Sequence, residues 1–178
     1  RARGSVKYPA DFMLVGAMNP CPCGFYPDRN RCTCTEAMVN RYLARISGPI
    51  LDRIDLCVEV SRMEPEELEQ SGGDGMGSAE MRDMVERAVA IQKKRYEKEN
   101  FRFNSQLPSS KTAIYIPLDA EGGAFMHRLY RKMELSMRSY YKIIRVARTI
   151  ADIDGNEFVG VKHLAEASCY RFPNYIGG

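Results

Sequence analysis

The chain has 178 residues, 26 Lys and Arg against 23 Asp and Glu, and 44% hydrophobic content, the balance of a globular protein and not of a disordered or fibrous one. A chain of this size hides roughly two-thirds of its unfolded surface and needs neither disulfides nor metal merely to hold a core, so its six cysteines ask for another explanation. A net charge of +3 does not by itself announce nucleic-acid binding, and no apolar run reaches the roughly 18 residues that would span a bilayer. The basic start at Arg1, Arg3 and Lys7 leads to Asn19 and Pro20, not to a signal-peptide cleavage site, so the expected compartment is cytoplasmic, where paired thiols more often ligate metal than form disulfides.

Phe12-Met13-Leu14-Val15-Gly16-Ala17-Met18 is a continuous apolar run too short for a helix, which predicts a buried strand of a parallel sheet. Asn19 then falls at a strand's C-terminal end, the edge at which open α/β sheets bind ligands. Next come Cys21-Pro22-Cys23 and Cys32-Thr33-Cys34, two C-x-C pairs flanking a loop that contains Gly24, Pro27, Asp28 and Asn30. Two such pairs can close a tetrahedron, and four thiolates suit a structural Zn²⁺ because they leave no coordination position open. Reduced thiols and disulfides stay as alternatives, since the spacing departs from the commoner C-x₂-C pairs. Cys57 and Cys169 read as buried small hydrophobes.

Thr35 reads as the N-cap of a helix with Met38, Tyr42 and Ile46 on one stripe, stopped by Gly48-Pro49. A second short strand, Leu56-Cys57-Val58-Glu59-Val60, follows. The acidic stretch Glu64 to Glu69 and the glycine-rich Ser71 to Ser78 then mark a change of composition, which places a boundary near residue 62 and divides the chain into 1–61 and 62–178. The second part predicts a small helical bundle, with helices at about 79–99, 119–133, 136–153 and 161–171. In the first of these, Met81, Met84, Val85, Ala88, Ile91 and Tyr96 form the apolar face.

In the third, about 100° per residue sets Tyr140, Ile143, Ile144, Ala147, Ile150 and Ala151 on one side, with Arg138, Lys142, Arg145 and Arg148 on the other, free for anions. With Arg128, Arg131 and Lys132 just before them, and Glu134 as the single acid, these cations point to nucleotide phosphate or a nucleic-acid backbone. Arg138 stands out because it falls in the first turn after Ser136, where a helix N-terminus and a guanidinium reinforce each other for a phosphate. Of the two histidines, His127 reads as part of a solvated basic face and His163 as a packed or surface residue. Ser71 to Ser78 contains no Lys and Lys111-Thr112 lacks the glycines, so the chain has no G-x-x-x-x-G-K-[ST] phosphate loop.

Three separated stretches carry a resemblance. They are Tyr8-Pro9-Ala10-Asp11 through Asn19-Pro20-Cys21-Pro22-Cys23-Gly24, then Arg45-Ile46-Ser47-Gly48-Pro49-Ile50-Leu51-Asp52-Arg53-Ile54-Asp55-Leu56, then Leu135-Ser136-Met137-Arg138 with Arg145-Val146-Ala147-Arg148-Thr149-Ile150-Ala151-Asp152. In this order they resemble the C-terminal part of the magnesium-chelatase-like AAA+ ATPases of the YifB/ComM type. The resemblance implies an α/β fragment, the C-terminal end of an AAA+ core with about two strands and a helix, followed by an all-α helical lid, so mostly α overall. It also implies that the phosphate loop lies upstream of Arg1, and that these residues alone are inactive.

By the same resemblance, Asn19 is expected as sensor 1, contacting the attacking water or the γ-phosphate. Arg53 is expected as an arginine finger reaching into a neighbouring subunit, Asp52 as the residue that holds this arginine or the subunit interface, and Arg138 as sensor 2 on the lid. ATP and Mg²⁺ are the implied cofactors, a ring of identical subunits, expected to be a hexamer, is the implied assembly, and DNA is the expected partner. Zinc at Cys21, Cys23, Cys32 and Cys34 is not implied by the resemblance and rests on spacing. Two alternatives stand beside this reading: the ATPase subunit of a chelatase that inserts Mg²⁺ into a porphyrin, and a non-enzymatic module in which a cysteine knuckle and a basic helix dock nucleic acid.

Overall fold

A computed structural model describes residues 8, 12–60 and 75–171. They divide into two compact units, one ending at Ile46 and the other running from Ser47. The architecture is mostly helical, and no strand forms among the described residues. The boundary expected near residue 62, the acidic stretch, the glycine-rich loop as far as Asp74, and Arg1, Arg3 and Lys7 lie outside the described residues. No helix among the described residues is long and apolar enough to cross a membrane.

In the first unit, helix α1 (Glu36–Leu43) begins where the sequence places its cap: the Met38 amide donates to Thr35 Oγ1 at 3.3 Å. It stops earlier than expected, at Leu43. Gly48-Pro49 does not end it but opens a separate short helix, α2 (Gly48–Leu51), in the second unit, where a proline in the first turn has no intrahelical amide bond to lose. The buried stripe is also shifted: Val39 and Leu43 pack against Cys21 and Cys34, while Met38 is exposed.

The two expected buried strands do not form among the described residues. Phe12, Met13, Leu14 and Val15 keep 65–88% of their surface in solvent, and Val58 and Val60 are also exposed. A strand is made by ladder partners and not by its own pattern. The described backbone offers the second run one such bond, from the Cys57 amide to the Tyr170 carbonyl at 2.8 Å.

The second unit has a true apolar core. Its long helices are α3 (Ser78–Arg95), α5 (Ala120–Lys132), α6 (Met137–Ile153) and α7 (Val161–Cys169), with α4 (Thr112–Tyr115) and two 3₁₀ turns, Asn104–Gln106 and Ser109–Lys111, between α3 and α5. Local signals fix the ends of α5 and α6. Asp119 Oδ1 accepts from the Gly122 amide at 2.7 Å to start α5, and Ser136 Oγ accepts from the Ser139 amide at 3.2 Å to start α6. At the far end of α6, Gly155 adopts φ +70°, and the Asn156 amide returns to the Ala151 carbonyl at 2.8 Å, a Schellman closure. Helix α6 is central: α7, α3 and the Asn104 turn all pack on it, and Ile143, Ile144, Ala147 and Ala151 meet Tyr96, Phe101, Met126 and Leu164 in the core.

Two expected helix faces are corrected here. On α3 the packed residues are Ala88 and Gln92, followed by Tyr96 just past its end, whereas Met81 and Val85 in its first turns stand in solvent. On α6, the face opposite the apolar stripe is not free: Lys142 and Arg148 are buried, Arg145 is half-buried, and only Arg138 is exposed. The segment 52–57 and the turns around 104–107 pack on that side and engage the cations.

Candidate functional site

The first unit gathers its four neighbouring cysteines. The Cys21 and Cys23 sulfurs are 3.3 Å apart, Cys23 and Cys32 3.6 Å, and Cys21 and Cys32 3.8 Å, with Cys34 completing a group whose members all lie within 4.8 Å. The local sequence builds this knuckle. Gly24 takes φ +84°, which lets its amide close a turn on the Cys21 carbonyl at 3.1 Å, and Asp28 directs the return limb, accepting at its backbone from the Cys32 amide at 2.7 Å and at Oδ1 from the Asn30 amide at 3.0 Å. All four thiols are unbridged.

Backbone amides surround the sulfurs. That of Phe25 is the largest influence on Cys23 and brings its thiol down to about 6. Cys34 accepts from the amide of Cys23, but burial and the neighbouring thiols outweigh this and push it up to about 12. Asn19 lies just before the knuckle, exposed, with Gly24 opposite its amide: a methyl group on Gly24 would come within 3.8 Å of Asn19 Cγ. Asn19 also borders an open depression of about 400 Å³, with Ala17, Met18 and Tyr42.

The second unit connects the segments that carry Arg53 and Arg138. Asp52 caps α2, and its carboxylate accepts from Ser139 Oγ at 3.0 Å and Ser136 Oγ at 3.4 Å, with Arg171 at 3.6 Å. Burial opposes its charge, yet Ser139, Arg171 and Ser136 together hold the carboxyl below the usual range. Lys142 reinforces the join, donating to the carbonyls of Asp52 at 2.6 Å and Ile54 at 2.9 Å, although burial pushes its ammonium down. Asp52 therefore grips the start of α6, and among the described residues it does not hold Arg53. Arg53 itself donates to the Pro49 carbonyl at 2.6 Å and is otherwise exposed, as is Arg138 in the first turn of α6.

Sequence reasoning missed a buried ionic network at the other end of α6. Asp152 has no exposed side-chain surface; Arg95 grips both its oxygens, Arg148 Nε donates to it at 3.1 Å, and Asn104 Nδ2 donates at 2.9 Å. Arg148 also donates to the Glu157 carbonyl at 2.7 Å, and Tyr96 OH donates to Asn104 Oδ1 at 2.8 Å. The available signal was the pair Arg148 and Asp152, one helical turn apart and bordering the apolar stripe. The histidines follow expectation: His127 is exposed and His163 is buried, with Nδ1 accepting from the Gly160 amide at 2.9 Å. Cys169, expected to be buried, is exposed, and Cys57 is half-buried.

Two exposed arginines thus lie close to a clasped helix N-terminus, the kind of helix end that attracts anions. Family membership follows from the sequence of the whole chain. Residues 75–171 match the model described as magnesium chelatase, subunit ChlI C-terminal, and residues 1–68 match that described as magnesium chelatase, subunit ChlI. The chain belongs to this magnesium-chelatase-like AAA+ family. It is 38% identical over 96% of its length to competence protein ComM of Haemophilus influenzae, and 37% identical over 96% to protein YifB of Escherichia coli. A Mycobacterium tuberculosis relative, Rv2897c, is 32% identical over the same share. The chain spans 33% of the length of each of these relatives.

Proposed function

We propose that this chain is the arginine-finger and lid portion of a ring-forming AAA+ ATPase that couples ATP hydrolysis to movement on DNA in the cytoplasm. The observation that carries the reading is the Asp52 clasp. One carboxylate ties the turn bearing Arg53 to the helix start bearing Arg138, and both guanidiniums remain in solvent, available to phosphate. In this reading Arg53 reaches the nucleotide of a neighbouring identical subunit in a hexamer and stabilises charge that develops on the transferred phosphoryl group. Arg138, aided by the N-terminal amides of α6, contacts phosphate and reports its presence to the lid, and the clasp makes the two arginines move as one body. Asn19 orients the attacking water.

The exposed apolar runs Phe12–Val15 and Leu56–Val60 suit strands of an α/β core whose other strands these residues do not supply. Mg²⁺ would accompany ATP at a phosphate loop, and the 178 residues contain no such loop. The chain alone is thus expected to show no micromolar ATP binding by calorimetry. A DNA substrate is favoured because the 38% identical relative is named a competence protein. The chelatase reading draws on the family's description and places a porphyrin where DNA would be. DNA-stimulated turnover supports the first and porphyrin-dependent turnover the second.

The test uses the longer polypeptide that the proposal requires. There Arg53→Ala should lower turnover by about 10³-fold or more, the scale of a lost arginine finger, while nucleotide binding stays within a few-fold of wild type. Undiminished hydrolysis would remove the assignment.

A further inference from the structure

We propose that Cys21, Cys23, Cys32 and Cys34 bind one Zn²⁺ as a closed tetrathiolate, and that this ion holds the first unit together where the apolar core among the described residues is small. Three observations converge. The first is spacing. Sulfurs around a regular tetrahedral zinc, with Zn–S of about 2.3 Å, sit about 3.8 Å from one another. The three closest pairs here are at 3.3, 3.6 and 3.8 Å, and all four sulfurs fit within 4.8 Å. These separations are far beyond the S–S bond length of about 2.05 Å.

The second is the donor environment. Backbone amides of Gly24 and Tyr26 face the Cys21 sulfur, those of Phe25 and Thr33 face Cys23, and that of Cys34 faces Cys32. Oriented N–H groups of this kind lower the energy of sulfur that carries negative charge, and a cation at the centre is what allows four such sulfurs to share one small volume. The all-sulfur set excludes Mg²⁺ and Ca²⁺, which take oxygen ligands. With four protein ligands no position is open for substrate, so the role is structural.

The third is size. The buried cluster of this unit consists of Cys21, Cys34, Val39 and Leu43, and the apolar side chains from Phe12 to Val15 stay outside it. A unit of 49 residues whose core among the described residues is this small ordinarily needs a cross-link, a metal or a partner. Two of the four buried residues are themselves sulfur ligands, so the centre of the fold and the centre of the metal site coincide. Asn19 directly precedes the knuckle, two residues before Cys21, and a Cβ added at Gly24 would lie 3.8 Å from its Cγ, so binding of the ion should also restrain Asn19. Binding requires no oxidant: Zn²⁺ replaces the thiol protons, which leave to solvent.

The test is made on the whole 178-residue chain, expressed in zinc-supplemented medium and purified without chelator. Elemental analysis should find about one zinc per chain, reduced at least five-fold in Cys32→Ser and unchanged in Cys169→Ser. Because Cys32→Ser could fail to fold, the wild-type chain provides an independent readout. Stripped of metal under reducing conditions and titrated with Co²⁺, it should develop thiolate-to-cobalt charge transfer and tetrahedral d–d bands that saturate at one equivalent and vanish when Zn²⁺ is added. Amide resonances of Asn19 and Gly24 should shift with the metal while those of α6 do not. A metal-free chain with all its thiols reactive and no tetrahedral cobalt spectrum would overturn the proposal. So would disulfides found by mass before reduction, or iron in place of zinc.

Discussion

The two ends of α6 use the same residue types to opposite effect. Near its C-terminus Arg148 is enclosed, its donors consumed by Asp152 and by the carbonyls of Asn156 and Glu157, while Arg95 closes on the same carboxylate from α3. At its N-terminus Arg138 is exposed, and the acid nearby in space, Asp52, spends its oxygens on Ser136 and Ser139. One end is a structural lock and the other a presented charge. A cation's availability to a ligand is decided by which carbonyls and carboxylates surround it, not by the side of a helical wheel on which it falls.

The sharpest way to break this contrast is to remove the acid from the lock. Asp152→Ala leaves Arg95 and Arg148 facing each other in a buried space without their counterion, and the expected cost is about 3–5 kcal/mol of stability. Urea unfolding followed by circular dichroism would show a large drop in midpoint. A loss below about 1 kcal/mol would mean that the network is relieved by solvent and is not a lock.

The clasp at the other end should matter less to stability, because Asp52 keeps 33% of its side-chain surface and its partners reach water. Asp52→Ala is expected to cost about 1–2 kcal/mol, the range for hydrogen bonds to a charged group discounted for exposure. Combining it with Ser139→Ala should give less than the sum of the two single losses, since both variants break the same 3.0 Å bond. Strict additivity would show that Asp52 acts on α6 through something other than Ser139.

Much of the second unit was legible in the sequence because its signals are local. Ser136 announces a cap, the stripe from Tyr140 to Ala151 announces one buried side of α6, and the four long helices lie within a few residues of their expected bounds. The four cysteines were legible as a cluster, since two C-x-C pairs around a turn leave little choice of placement. What failed depends on distant chain. Lys142 is covered by residues 88 to 90 positions earlier, Arg145 donates to Leu107, and Arg95 pairs with Asp152 across 57 residues. A helical wheel sees none of these partners and treats every face away from the stripe as solvent. The expected strands failed for the same reason in reverse: an apolar run such as Phe12–Met18 states a preference for burial but cannot supply the neighbour that provides it.

The smallest effect expected concerns pH, and it probes the lock end at its margin. His163 Nδ1 accepts from the Gly160 amide at 2.9 Å, so this nitrogen must be unprotonated in the folded unit, and the proton of the neutral ring sits on Nε2, 3.4 Å from Asp154 Oδ2. Burial, the Lys162 charge and, more weakly, Arg148 push the His163 pKa below its ordinary value, and Asp154 only partly opposes them. As pH falls through about 6.5 the unfolded chain takes up the proton before the folded one does, so its proton count is the larger and unfolding becomes easier with acid. The stabilising contribution is complete above that value and is lost as pH descends through the depressed folded pKa. The urea midpoint should therefore be lower at pH 5.5 than at pH 7.5, by less than the shift produced by Asp52→Ala. His163→Gln keeps an acceptor for Gly160 without a titrating ring and should flatten this dependence. An equal slope in that variant would remove His163 as the cause, since the depressed carboxylates of Asp52 and Asp154 contribute only in a more acidic window.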